Sequence, residues 1–138
     1  MAATSTYKTY LMKSSDGTNY TKLVDIKDYS DIGDAPETLE TTTLSDKMQT
    51  FIFGIQSNEA RTFTCNYEKA NYSAIKALAG TEQYLAVWMG ADANGDPDGS
   101  DGKWSFKGYV DVYVSGKGVN EVREMVVTIA PSTVDTFA

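Results

Sequence analysis

The side chains with the most obvious chemical potential lie in the run from Asp92 to Gly102, AspAlaAsnGlyAspProAspGlySerAspGly. Asn94, Asp96, Asp98 and Gly99 match the opening positions of a twelve-residue calcium loop, in which oxygens at alternate positions converge on a hard cation. The closing position needs a bidentate carboxylate and is occupied by Ser105. No helical pattern flanks the run. It reads as a solvated hairpin turn, with a weak metal site as the alternative. The rest of the inventory is short. The chain has no histidine and one cysteine, Cys65, which removes the commonest general base and most transition-metal ligand sets. Cys/His zinc sites and Ser-His-Asp or Cys-His nucleophile systems cannot be built. Paired carboxylates or a Ser-Lys pair stay formally open, but no motif points to them. The expectation is therefore no enzyme, no catalytic residue and no cofactor.

The elements that would position any site are mostly strands. Residues 6–13 form a Thr- and Tyr-rich strand closed by the turn at 14–17, and 20–27 read as a second, weaker one. Asp, Gly and Pro make 28–36 a loop. A β-branched run at 37–44 is a plausible strand, and another follows at about 61–68. There Cys65 alternates with Phe63 and Tyr67, so a buried reduced thiol is expected. A helix is predicted at about 71–79, capped by Asn71 and ended by Gly80, with Tyr72, Ile75, Leu78 and Ala79 on one face. So short a helix needs a sheet to pack on. Residues 82–89 are a buried strand ahead of the turn at 92–102. The strongest signal is a hairpin of 103–114 and 119–129 about a turn at 115–118. Phe106, Val110, Val112 and Val114 face one way, against Lys107, Tyr109, Asp111 and Tyr113. Met125, Val127 and Ile129 form the dry side of the second arm. Residues 131–138 are a tail. The fold class is mainly β, a small antiparallel β-sandwich or barrel with one short flanking helix, a long loop and terminal arms.

Bulk properties agree with a single domain. The chain has 138 residues, 41% hydrophobic and 22% charged, enough for one core. Its formal net charge is −7, from 19 acidic and 12 basic residues, a balance that opposes binding to phosphate backbones. No apolar run approaches the length of a spanning helix, and the N-terminus shows no leader pattern. Synthesis in a cytoplasm and a soluble product are expected.

One segment does not fit an ordinary small domain. Between the Thr-rich strand and the strand at 61–67, Met48, Phe51, Ile52, Phe53 and Ile55 crowd together without helical or two-residue periodicity. So much apolar area in a connection must be covered, either by the domain's own core or by a neighbouring subunit. The second is preferred. Nine tyrosines fit strand rims or an interface equally well.

The order of these pieces resembles the major tail tube protein of long, non-contractile-tailed bacteriophages. The pieces are Thr41-Thr42-Thr43-Leu44-Ser45-Asp46, the stretch Phe51-Ile52-Phe53-Gly54-Ile55, the strand ending Asn66-Tyr67, a short helix, an Asp/Gly-rich turn, and a closing hairpin ending Thr128-Ile129-Ala130-Pro131-Ser132-Thr133. The resemblance covers most of the chain. It implies a structural virion protein, a sandwich that closes into hexameric rings with a continuous inner barrel. The rings would stack through a long loop and terminal arms into a tube around a tape-measure protein, bounded by tail terminator and baseplate proteins. DNA would pass through the lumen without specific binding, and no membrane is involved. By position, residues 40–60 match the stacking loop, which makes Met48, Phe51, Ile52, Phe53 and Ile55 candidate inter-subunit contacts. Residues 1–6 and 131–138 match the arms, and 103–129 match lumen-lining strands, with the lining face left open. The alternative is a related ring component, such as a terminator or baseplate ring protein, that does not polymerise.

Overall fold

Strand alternation and one short amphipathic helix account for nearly every element of the computed structural model, which describes residues 3, 5, 7–33, 36–56 and 59–138. The arm expected at residues 1–6 falls largely outside the described residues. The chain runs β1 (Thr9–Ser14), β2 (Tyr20–Val24), β3 (Asp28–Tyr29), β4 (Pro36–Glu40), β5 (Phe51–Gln56), β6 (Arg61–Asn66), α1 (Lys69–Leu78), β7 (Glu82–Ala91), β8 (Pro97–Val114), β9 (Glu124–Pro131) and β10 (Thr136–Phe137). All pairings are antiparallel. The main sheet has the order β2-β1-β7-β8-β9-β6-β3, and β4 and β5 form a separate two-stranded sheet.

The long strand β8 makes the sandwich. Its residues 97–109 pair with β7, while 108–114 pair with β9. The two halves of β8 thus belong to different layers, and the sheet folds over along it. Gly108 sits at the changeover, opposite both Gln83 and Pro131. A Cβ there would lie 2.7 Å from the Ala130 carbonyl oxygen, so the two backbones approach this closely only at glycine.

Inward positions fill the space between the layers. Leu11, Leu85, Val87 and Phe106 come from the first, and Phe63, Cys65, Val110, Val112, Met125, Val127 and Ile129 from the second. The expected dry faces of the closing hairpin are present, except that Val114 lies beyond the covered region and is exposed. Burial pushes the Cys65 thiol up to about 11, so it is neutral and unreactive at neutral pH. Helix α1 closes one side. Ile75 is fully buried, with Tyr72 and Leu78 packed beside it. Lys76 donates to the Val112 carbonyl oxygen (3.3 Å) and to Asp111 (2.8 Å) on the β8 edge that β7 leaves free.

Several expected boundaries move. The helix starts at Lys69, not at an Asn71 cap. Its N-cap is Glu68, and the Asn71 amide donates to that carboxylate instead (2.8 Å). Gly80, with φ +89°, does end the helix as expected. The second half of the Asp/Gly run, from Pro97, is already strand, because Gly99 and Gly102 take positive φ (66° and 128°) and absorb the register shift against β7. The second arm of the closing hairpin, β9, begins at Glu124 rather than 119. Asn120 with φ +66° breaks the preceding segment, leaving Val119 and Val122 exposed. A short β3 lies within the predicted loop at 28–36, and β10 lies within the predicted tail.

Glu124 receives the side chains of both Lys117 and Lys27. These two ammonium groups, Lys117 first, hold its carboxyl down at about 2 from the usual 4.5. A carboxyl with a depressed folded pKa stabilises the fold above its unfolded value and loses that contribution as pH falls through the folded one. The thermal midpoint is therefore expected to fall as pH drops from about 4.5 to about 2. Glu124→Gln should flatten part of that slope. Calorimetry across the range at fixed salt checks this, and an unchanged slope would remove Glu124 from the acid response.

Candidate assembly interface

The β4–β5 hairpin packs on no other element among the described residues beyond marginal contact. Its register is Glu40↔Phe51, Leu39↔Ile52 and Thr38↔Phe53. Strand alternation puts Phe51 and Phe53 on one face and Ile52 on the other, and a register shift between the Thr38↔Phe53 and Pro36↔Gln56 pairs takes Ile55 out of the Phe51–Phe53 alternation. Leu39 lies on that second face, across from Ile52 and against Gly54, where a Cβ would meet its side chain at 3.2 Å. Both faces are therefore apolar and both are open. Phe51 is 54% exposed, Ile52 57%, Phe53 74% and Ile55 88%. Met48 stands at the tip, 78% exposed, near the fully exposed Leu44.

Open apolar strands of this kind are liabilities unless something holds and then covers them. The tip is held by its own threonines. The Thr41 N–H donates to the Thr50 carbonyl oxygen (2.8 Å), the two hydroxyls meet at 2.8 Å, and the Thr50 N–H donates to the Thr42 hydroxyl (2.9 Å). Asp46 accepts from the Thr43 N–H (2.7 Å). The Thr-rich run thus orders the hairpin and leaves its apolar side chains free. All five residues singled out in the sequence come together here. Leu39 and Leu44 were missed, although they continue the same apolar surface.

The missing two-residue period has a simple cause. Alternation appears in a strand when one face is dry and the other wet. Here both faces carry large apolar groups, so Phe51-Ile52-Phe53 reads as aperiodic.

The C-terminal segment carries a second feature that sequence reasoning missed. Arg61 points inward and is only 3% exposed. It donates to both carboxylate oxygens of Asp135 (2.6 and 2.7 Å), and its guanidinium lies 4.4 Å from the centre of the Phe106 ring. Downstream, β10 pairs with β8, Lys103 and Ala138 exchange backbone hydrogen bonds, and Phe137 packs on Trp104 at 5.1 Å. The arm expected at 131–138 is docked on its own subunit. A signal existed, because Arg61 has the same strand parity as Phe63 and Cys65.

The Asp-rich turn spends its carboxylates locally. Asp92 accepts from the N–H groups of Asn94 (2.8 Å) and Asp96 (3.0 Å), and Asp98 accepts from that of Ser100 (2.9 Å). Among the described residues no Asp, Glu or Cys cluster is arranged to hold a metal ion, and no helix is long and apolar enough to cross a membrane.

No protein family model matches the chain, and no curated protein matches it in sequence. Solved structures do match in fold. One chain belongs to a structure described as the tail of an empty GTA particle refined with C6 symmetry, with 11% identity, 99% of each chain covered and a TM-score of 0.70. Another belongs to the sheath/tube terminator, in the extended state, of PVC, an extracellular contractile injection system. It shows 9% identity over 100% of this chain and 98% of that one, with a TM-score of 0.70. A third belongs to the tube-terminating cap of the anti-feeding prophage, at 13% identity over 100% of this chain and 92% of that one, with a TM-score of 0.69. At such identities the likeness establishes the fold: this chain folds over its whole length as chains found in those assemblies do.

Proposed function

We propose that the chain is a structural, non-enzymatic subunit of a phage-type tail, which closes into hexameric rings and stacks them into a tube. The observation that carries this reading is the β4–β5 hairpin, ordered by its threonines yet apolar on both faces and bare in the single subunit. Met48, Phe51, Ile52, Phe53 and Ile55 are its subunit contacts. Likeness to a chain of a C6-symmetric tail supports a ring of identical subunits, in which lateral closure removes sheet edges and head-to-tail stacking propagates without limit. The resident site is the virion tail. The implied partners are further copies, a tape-measure protein inside, and terminator and baseplate proteins at the ends, with DNA passing through unbound. A tail of the long, non-contractile kind is the finer form of this proposal.

Likeness to chains of a tube terminator and a terminating cap favours a second reading, a ring component that does not polymerise. Negative-stain microscopy of concentrated protein separates the two. Long hollow tubes are expected, isolated rings would favour the second reading, and monomers persisting at high concentration would overturn both.

A further inference from the structure

The two outer faces of the sandwich differ in charge. On the β2-β1-β7-β8 layer, the outward positions are Tyr20 and Lys22, then Tyr10, Met12 and Ser14, then Tyr84, Ala86 and Trp88, then Lys103, Ser105 and Lys107. Lysines lie over rings across this face. Lys103 Nζ is 4.2 Å from the Trp88 ring centre, Lys107 4.6 Å from Tyr84 and Lys22 5.8 Å from Tyr10. Tyr20 packs against Trp88 at 5.7 Å. These stems and rings account for the burial of Met12 and Ala86 on an outward face.

The opposite layer has none of this. Its outward positions are Tyr109, Asp111 and Tyr113 on β8, Glu124, Val126, Thr128 and Ala130 on β9, Thr62, Thr64 and Asn66 on β6, and Asp28 on β3. No lysine or arginine occupies any of them. The cations near this layer stand at its margins and are engaged there: Lys76 with Asp111 at the helix edge, Lys27 and Lys117 with Glu124 at the strand end.

From this asymmetry, and resting on the tube reading, we infer that the outer face of β3, β6, β9 and the second half of β8 lines the channel, while the lysine–aromatic face points away from it. A lysine on the lining would recur in every subunit of every ring. Each cation neutralising a phosphate releases condensed counterions and adds to sequence-independent affinity. A duplex would then be held along the whole tube rather than passed through it. Hydroxyls, an amide, small apolar groups, two tyrosines and carboxylates present no such cationic grip. The lysine–aromatic face would supply it at each subunit, so it is the face that the channel cannot use.

Cysteine accessibility in assembled tubes tests the assignment, since native Cys65 is fully buried. Thr128→Cys and, on the neighbouring strand, its register partner Thr62→Cys probe the inferred lining, and Lys22→Cys probes the opposite face. Each is treated with a small maleimide and with a maleimide coupled to a folded protein too wide to enter the channel. The expected result for Thr128→Cys or Thr62→Cys is reaction with the small reagent and loss of reaction with the bulky one on assembly. Both reagents should react in dissociated subunits. Reaction of both positions with the bulky reagent in tubes would put this face outside, and protection from both reagents would make it a subunit contact. Either outcome overturns the inference and leaves the tube intact. Protein that never assembles overturns the proposed function, and the inference with it.

Discussion

Asp135→Ala should destabilise the domain by about 3–5 kcal/mol, because it leaves a buried guanidinium without its anion. Arg61 is the only arginine or lysine among the buried described residues, and the Asp135 carboxylate takes two of its N–H donors in a bidentate fork. Such a pair adds little over an apolar replacement of the same shape, since the attraction mostly offsets the desolvation of both ions. Breaking one side is different: the charge stays buried and the compensation goes. Phe106, lying over the guanidinium, contributes on the order of 1–2 kcal/mol by its ring face and cannot replace the carboxylate. The loss should also release Thr136–Phe137 from β8 and so change the environment of Trp104. Urea unfolding followed by tryptophan fluorescence measures both effects. The double variant Arg61→Met with Asp135→Asn should recover most of the stability. If it is as unstable as Asp135→Ala alone, the unpaired charge is not the cause.

That pair also marks the limit of what the sequence shows. Core strands were legible because one face of each is dry: Phe63 and Cys65, Val110 and Val112, and Met125, Val127 and Ile129 alternate with polar neighbours and stand buried in the structure. The helix was legible because Tyr72, Ile75 and Leu78 keep a three-to-four spacing. Arg61 sits on the same inward parity but is charged, so pattern reading discards it. Its partner lies 74 residues away in a tail with no period at all. The early start of β8 was hidden for another reason. Gly99, Gly102 and their aspartate neighbours look like turn chemistry, yet here the positive φ angles serve bulges within a strand. At the hairpin the residues were found but their secondary structure was not, because a strand that is apolar on both sides has no wet face to reveal it.

Placing a charge on either face of that hairpin should abolish assembly while leaving the domain as stable as before. Phe51→Asp with Phe53→Asp tests one face and Ile52→Asp the other. None of these three side chains belongs to the core cluster, so stability should stay within about 0.5 kcal/mol of the parent. The stronger form of the test removes the element altogether. Pro36 and Gln56 are register partners, so a Gly-Gly link replacing residues 37–55 should close the stump without strain and keep the fold. A collapsed unfolding transition would mean instead that the hairpin belongs to the core. The magnitudes argue that both faces are used. Burying an exposed Phe, Ile or Leu stabilises by about 1.5–3 kcal/mol, so Phe51 and Phe53 together contribute at most roughly 3–6 kcal/mol. Association costs about 4–15 kcal/mol in lost freedom and ordering, which one face can barely offset. Adding Ile52, Leu39 and Ile55 contributes roughly 4–9 kcal/mol more, which brings the total into the range of that cost, so assembly needs both faces at every step. Ile52→Asp alone should therefore block assembly, as read by sedimentation and microscopy. If it still forms tubes while the Phe51→Asp, Phe53→Asp protein does not, the hairpin lies flat on one neighbour rather than clasped between two.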